Sequence, residues 1–180
     1  LSLALGIVAR FIGGVMLFSS FAVLISFSTA RGTISSNCLN GVGQIVSFSI
    51  RDETLHCISI MRLFQEYLKE NPGIDLVDLE HQIHIHAKNV YDLECAFIDE
   101  CLFDGNLDFL TKSDLQLFIQ YLIDVRLKQM KFRPLFGINQ NPLKWMDNIL
   151  FAKELTNFFE ETPTTYAKGD FVNQDKLFAD

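Results

Sequence analysis

The sequence predicts an all-α helical bundle, and three observations carry that expectation. Val46, Ile50, Cys57, Ile60, Phe64 and Tyr67 recur at three- and four-residue steps or their multiples, which is the spacing of one helical face. Leu79, Ile83, Val90, Leu93 and Phe97 mark a second such face. Breaker clusters at Asn71-Pro72-Gly73 and Asp104-Gly105-Asn106 separate these stretches into elements.

In chain order, Leu1 to Ala30 is almost wholly apolar, with Arg10 its only charge. Phe11 to Ala30 has the length of a membrane span, but a central helix buried on every side has the same composition. No basic cluster anchors either end, and Gly13-Gly14 and several serines dilute the run. Arg31 to Asn40 reads as a loop, because its short polar residues compete for backbone hydrogen bonds. Gly41 and Gly43 are expected to precede the next helix, which runs through Glu70. A third helix is expected from Leu76 to Leu102, and a fourth from Lys112 to Met130 with Ser113 as its cap and Leu117, Tyr121, Ile123 and Leu127 on its apolar positions. A short helix follows near Leu143 to Ile149. Residues 1–161 are read as the bundle and 162–180 as a flexible tail, since periodicity is lost there and Pro163 and Gly169 interrupt it.

A chain of 180 residues suits one domain with a substantial core, and 49% hydrophobic residues with 17 Phe imply helices buried on more than one side. A net charge of −7 without any basic run excludes a phosphate-binding surface, so nucleic acid is not an expected partner. The four cysteines, Cys38, Cys57, Cys95 and Cys101, form no Cys-x-x-Cys pair, which fits a reduced, cytoplasmic compartment; Cys57 reads as core filler.

The chemistry-bearing stretch is Ile50-Arg51-Asp52-Glu53-Thr54-Leu55-His56. Glu53 falls on the apolar stripe and His56 one turn further along the same side. An acid and an imidazole turned toward a core are costly unless compensated, and a bound cation compensates both. Glu-x-x-His alone is a weak motif. It is, however, half of the donor set of ferritin-like di-metal bundles, where two helices each give a Glu and two others each give Glu-x-x-His. His81, His84 and His86 do not converge at helical spacing and read as a solvated face, as do Glu94, Asp99 and Glu100.

The same run resembles the Arg-Asp-Glu-x-x-His signature of the small, radical-generating subunit of class I ribonucleotide reductase. Asn141-Pro142, Trp145-Met146, Thr156-Asn157-Phe158-Phe159-Glu160 and Tyr166 resemble further family segments in the same order and at similar spacing. The likeness runs over nearly the whole chain but covers only about the C-terminal half of the family's ferritin-like fold. Gly14 to Ala22 then resembles the core helix that follows a metal-ligating glutamate, which favours a buried helix over a membrane span.

The resemblance implies a two-metal centre of iron, or of manganese and iron, with Glu53 and His56 as ligands. It further implies radical transfer through Asp52, shielding of the radical by Leu17 and Phe21, a large catalytic subunit as partner, and a homodimer of small subunits. Carboxylates suit such a centre because they are hard, anionic and able to bridge two cations. The family has Glu-Gly where this chain has Gly13-Gly14, so Gly13 marks a lost ligand position. The remaining ligands, an aspartate and another Glu-x-x-His, belong to the family's N-terminal half and are not among these residues. The chain alone is therefore expected not to be competent. Another ferritin-like di-metal oxidase or metal store, and a membrane-anchored interaction protein built on Phe11 to Ala30, are the alternatives on the residues alone.

Overall fold

The computed structural model describes residue 4 and residues 14–29, 39–107 and 109–150. Gly13, the segment Thr156 to Glu160, Tyr166 and the expected tail lie outside them, as do most of the Arg31 to Asn40 loop and Cys38. The described elements are α1 (Phe18–Thr29), α2 (Asn40–Glu70), α3 (Leu76–Cys101), α4 (Lys112–Gln129), a 3-10 turn (Lys144–Met146) and α5 (Asp147–Leu150). Apart from a single bridge between Leu107 and Leu110, no strand occurs among the described residues. The all-α expectation holds.

Capping fixes the boundaries that breakers only suggest. Asp75 opens α3 by accepting from the backbone N–H groups of Val77 and Asp78 at 2.9 and 3.2 Å. Thr111, not Ser113, caps α4, in a reciprocal capping box with Asp114. At the end of α2, Asn71 Nδ2 donates to the Tyr67 carbonyl at 2.8 Å, one residue before Pro72. The start of α2 differs from expectation. The helix begins at Asn40, so Gly41 and Gly43 lie inside it. Gly43 is needed there because α1 crosses α2 so closely that a Cβ on residue 43 would sit 2.8 Å from Ser28 Cβ.

The helices pack as two pairs, α1 on α2 and α3 on α4, with α4 also meeting α1 and α5 closing against α2. One contiguous core runs through Phe18 and Ile25 of α1, Ile50 and Phe64 of α2, Ile83 of α3 and Phe118 of α4. On α2 the buried face is Gly43, Val46, Ile50, Cys57, Met61 and Phe64, close to the predicted stripe, and Cys57 is buried as expected of core filler. The α3 face is rotated from the prediction. Ala87, Glu94 and Ile98 are inside, whereas Leu93 and Phe97 are exposed. On α4 Leu117 is likewise exposed, and Leu115, Phe118, Ile119 and Leu122 supply the packing.

Glu94 is the largest departure from the sequence reading. Expected on the surface, it is only 5% exposed. Its Oε1 accepts from Leu17 N–H at 3.2 Å and its Oε2 from the Ser19 hydroxyl, so it serves as a cap donated from α3 to the start of α1. This explains why α1 begins at Phe18. The preceding residues Gly14 to Leu17 form a turn, and Leu17 adopts φ 75°. From α4, buried Arg126 reaches the same turn through Nε, 3.2 Å from the Gly14 carbonyl. Burial pushes the Arg126 guanidinium down from its ordinary value.

Buried Asp124 organises the segment after α4. Its carboxylate accepts backbone N–H groups of Leu135 (2.7 Å), Phe136 (2.9 Å) and Ile138 (2.7 Å). Arg133 in the same segment donates to Glu80 of α3 from its backbone N–H at 2.7 Å and from its guanidinium, while His84 Nε2 donates to the Arg133 carbonyl at 2.9 Å. His84 is thus bonded to this segment and not a free surface imidazole. Asn141 Nδ2 donates to Asp147 Oδ1 at 2.6 Å, and Leu143 N–H donates to Asn141 Oδ1 at 2.9 Å, which fixes the entry to the last turn.

Three outcomes follow from this packing. Gly43→Ala gains up to about 1 kcal/mol of helix propensity, but overpacking against Ser28 costs about 1–3 kcal/mol, so the urea midpoint is expected to fall. Glu94→Ala leaves the Leu17 N–H and Ser19 hydroxyl without an acceptor and is expected to cost about 2 kcal/mol, with faster amide exchange at Leu17; unchanged exchange would contradict the cap. The Arg133 backbone N–H and then its guanidinium hold the Glu80 carboxyl below its ordinary value. The clamp is therefore fully present above about pH 4.3, the unfolded value for Glu, and is lost as pH falls through the lower folded value. Glu80→Gln should remove that acid-side slope in a pH series of thermal melts.

Candidate metal centre

The Glu53 and His56 pair sits midway along α2, between Asn40 and Glu70. Helical spacing places the two side chains one turn apart, and His56 Nδ1 lies 3.6 Å from Glu53 Oε2. Two donors bonded at about 2.1 Å to one ion at the tetrahedral angle are roughly 3.4 Å apart, so the pair has the spacing of two ligands of one cation. The donor types fit as well: an anionic oxygen and an imidazole nitrogen serve iron, manganese and zinc. Two donors are half of what such an ion takes from a protein, so the residues fit a half-site.

Their exposure corrects the expectation that both face a core. The side chain of Glu53 is 35% exposed and that of His56 is 64% exposed. Glu53 does lie on the stripe, between buried Ile50 and buried Cys57, but at its open edge. An exposed (i, i+3) ion pair of this kind contributes little to stability, so the pair is not needed to hold the helix. Among the described residues, no group of three or more His, Cys, Asp or Glu is placed to hold a metal ion.

The other residues singled out from the sequence are spread around this pair. Asp52 is exposed on the same helix. Leu17 is 57% exposed at the turn held by Glu94 and Arg126, so it does not pack in the core of the described residues. Phe21 is partly buried, edge-to-face with Phe18 at 5.5 Å between ring centroids. Gly13, which the resemblance marks as a ligand position the family fills with glutamate, lies outside the described residues. Glu94, Asp124 and Arg126 were not read from the sequence as buried, although Glu94 continues the Leu79, Ile83, Val90 spacing by one further step of four. An acid on an apolar stripe was the signal used for Glu53, and it applies to Glu94 too. No helix of the described residues is long and apolar enough to cross a membrane, and α1 has only 12 residues.

The chain is similar to known proteins over most of its length. The family model "Ribonucleotide reductase, small chain" matches residues 3–142. A probable ribonucleoside-diphosphate reductase small subunit of Invertebrate iridescent virus 3 is 38% identical over 173 residues, covering 96% of this chain and 44% of that protein. The ribonucleoside-diphosphate reductase subunit beta of Chlamydia pneumoniae is 26% identical over 153 residues, covering 85% and 42%. A crystal structure described as a "putative class I ribonucleotide reductase from Bacillus halodurans" superposes with a TM-score of 0.67 at 20% identity, over 77% of this chain and 48% of that one, which shows the shared ferritin-like fold. The chain spans about half the length of the curated relatives it matches. With a helix bundle of that fold, an Arg-Asp-Glu-x-x-His run on its longest helix and a family match over most of its length, this chain belongs to the ribonucleotide reductase small-chain family.

Proposed function

We propose that this chain is the ligand-bearing C-terminal half of a ribonucleoside-diphosphate reductase small subunit. In this reading it works in the cytoplasm with the complementary half of the fold and with a large catalytic subunit, which uses the radical to make deoxyribonucleotides. The observation that carries the reading is the Glu53 and His56 pair, one turn apart and open to one side of α2, in a member of this family. Glu53 and His56 hold one metal of an iron pair, or of a manganese and iron pair. When bound, that pair supplies the oxidising equivalent from which a radical is made. Glu53 contributes charge compensation and His56 a neutral nitrogen, and each orients the other through their shared turn. Asp52, adjacent on the exposed side of α2, lies on the route by which the radical leaves for the large subunit. Leu17 and Phe21 keep water and reductants from it once the complementary half is in place.

The test is reconstitution. The chain would be co-expressed with the part of the iridescent virus relative that it does not match, and assayed with that relative's large subunit for diphosphate reduction and for a radical by electron paramagnetic resonance. Activity is expected from the reconstituted pair. Loss of an outer-shell partner alone costs 10–100-fold in such sites, so Glu53→Ala or His56→Ala is expected to cost roughly 100-fold or more. Two irons and a radical in the purified chain by itself, or activity indifferent to both substitutions, would overturn the assignment.

A further inference from the structure

The start of α1 is unwound against its own sequence pattern. Val15, Phe18, Ala22 and Ile25 are buried and recur at steps of three and four residues, the stripe of one uninterrupted helix reaching back to Val15. The backbone departs from that stripe. Gly14 to Leu17 form a turn, Leu17 adopts φ 75°, and the Phe18 N–H donates to the Val15 carbonyl at 3.1 Å, three residues back and not four. A left-handed backbone is unfavourable at a leucine, and the Leu17 side chain, 57% exposed, gains little packing in return.

Two buried side chains hold this state, each by a backbone group whose geometry changes in the longer helix. In an uninterrupted helix the Gly14 carbonyl receives the Phe18 N–H, because each carbonyl pairs with the N–H four residues on. Here Arg126 Nε occupies that carbonyl at 3.2 Å. The Leu17 N–H belongs to the first turn of such a helix, where it has no partner within the helix. Here it donates to Glu94 Oε1 at 3.2 Å, and the Ser19 hydroxyl donates to Oε2. Glu94 stands on α3 and Arg126 on α4, so both holds come from the other helix pair.

From this we infer that the start of α1 is a two-state element. It is a strained turn while Glu94 and Arg126 are docked on it, and one further turn of helix, with Leu17 right-handed, when they withdraw. The apolar stripe serves both states, so contacts from α3 and α4 choose between them. A displacement of the α3 and α4 pair from α1 is thereby converted into winding of α1. No metal ion enters this device, which stands apart from the roles proposed for Glu53 and His56.

Nuclear magnetic resonance of the isotope-labelled 180-residue chain tests it. At Leu17 the nuclear Overhauser effect between its own amide and α protons reports the sign of φ, and the Cα shifts of Val15, Met16 and Leu17 report helix. The wild-type chain is expected to show a strong effect and non-helical shifts. Glu94→Leu should weaken the effect and move all three shifts to helical values, and Arg126→Met should move them in the same direction. Leu17→Gly relieves the left-handed strain, so it should raise the urea midpoint of the wild-type chain and return the Glu94→Leu chain to the turn. If Glu94→Leu does not fold, Arg126→Met and Leu17→Gly decide the matter. A right-handed Leu17 in the wild-type chain, or a turn that persists in both single variants, would overturn the inference. So would random-coil shifts from Val15 to Leu17 in Glu94→Leu, which describe a simple cap with one folded state, or a urea midpoint lowered by Leu17→Gly.

Discussion

A buried carboxylate and a buried guanidinium converge on the short turn from Gly14 to Ser19, and the relation between the two helix pairs depends on them. Glu94 reaches it from α3 and Arg126 from α4. Each would be costly to bury alone. The turn repays them with backbone and hydroxyl groups that a regular helix start would leave unpaired. The exchange joins α1, and through it α2, to the α3 and α4 pair. It also fixes the backbone from Gly14 to Ser19.

Much of this was legible in the sequence. Helix existence and type follow from apolar spacing and from Asn71-Pro72-Gly73 and Asp104-Gly105-Asn106, and the α2 face was readable almost residue by residue. The α3 face was not, because Leu93 and Phe97 are as apolar as Ala87 and Ile98 and only partner geometry chooses between neighbouring registers. Glu94 shows the same limit from the polar side. Its identity suggests a surface, and its burial depends on acceptors being needed 75 residues or more away in the chain. Glu53 shows the converse: it lies on the predicted stripe, yet its side chain is 35% exposed.

That contrast separates the two acids by role. Glu94 is satisfied by the fold, each of its carboxylate oxygens accepting a hydrogen bond from the start of α1. Glu53 is not consumed by packing, and His56 beside it is more exposed still. The 31-residue α2 helix buries one face, through Gly43, Val46, Ile50, Cys57, Met61 and Phe64, and carries the Glu53 and His56 pair beside it.

Asp124 has a different kind of consequence. Three successive anchor points on one carboxylate make the stretch from Leu135 to Ile138 a rigid attachment of α4, not a tether between elements. Any displacement of α4 along its axis therefore carries Leu135, Phe136 and Ile138 with it, so this stretch of backbone reports on the position of a helix it does not belong to.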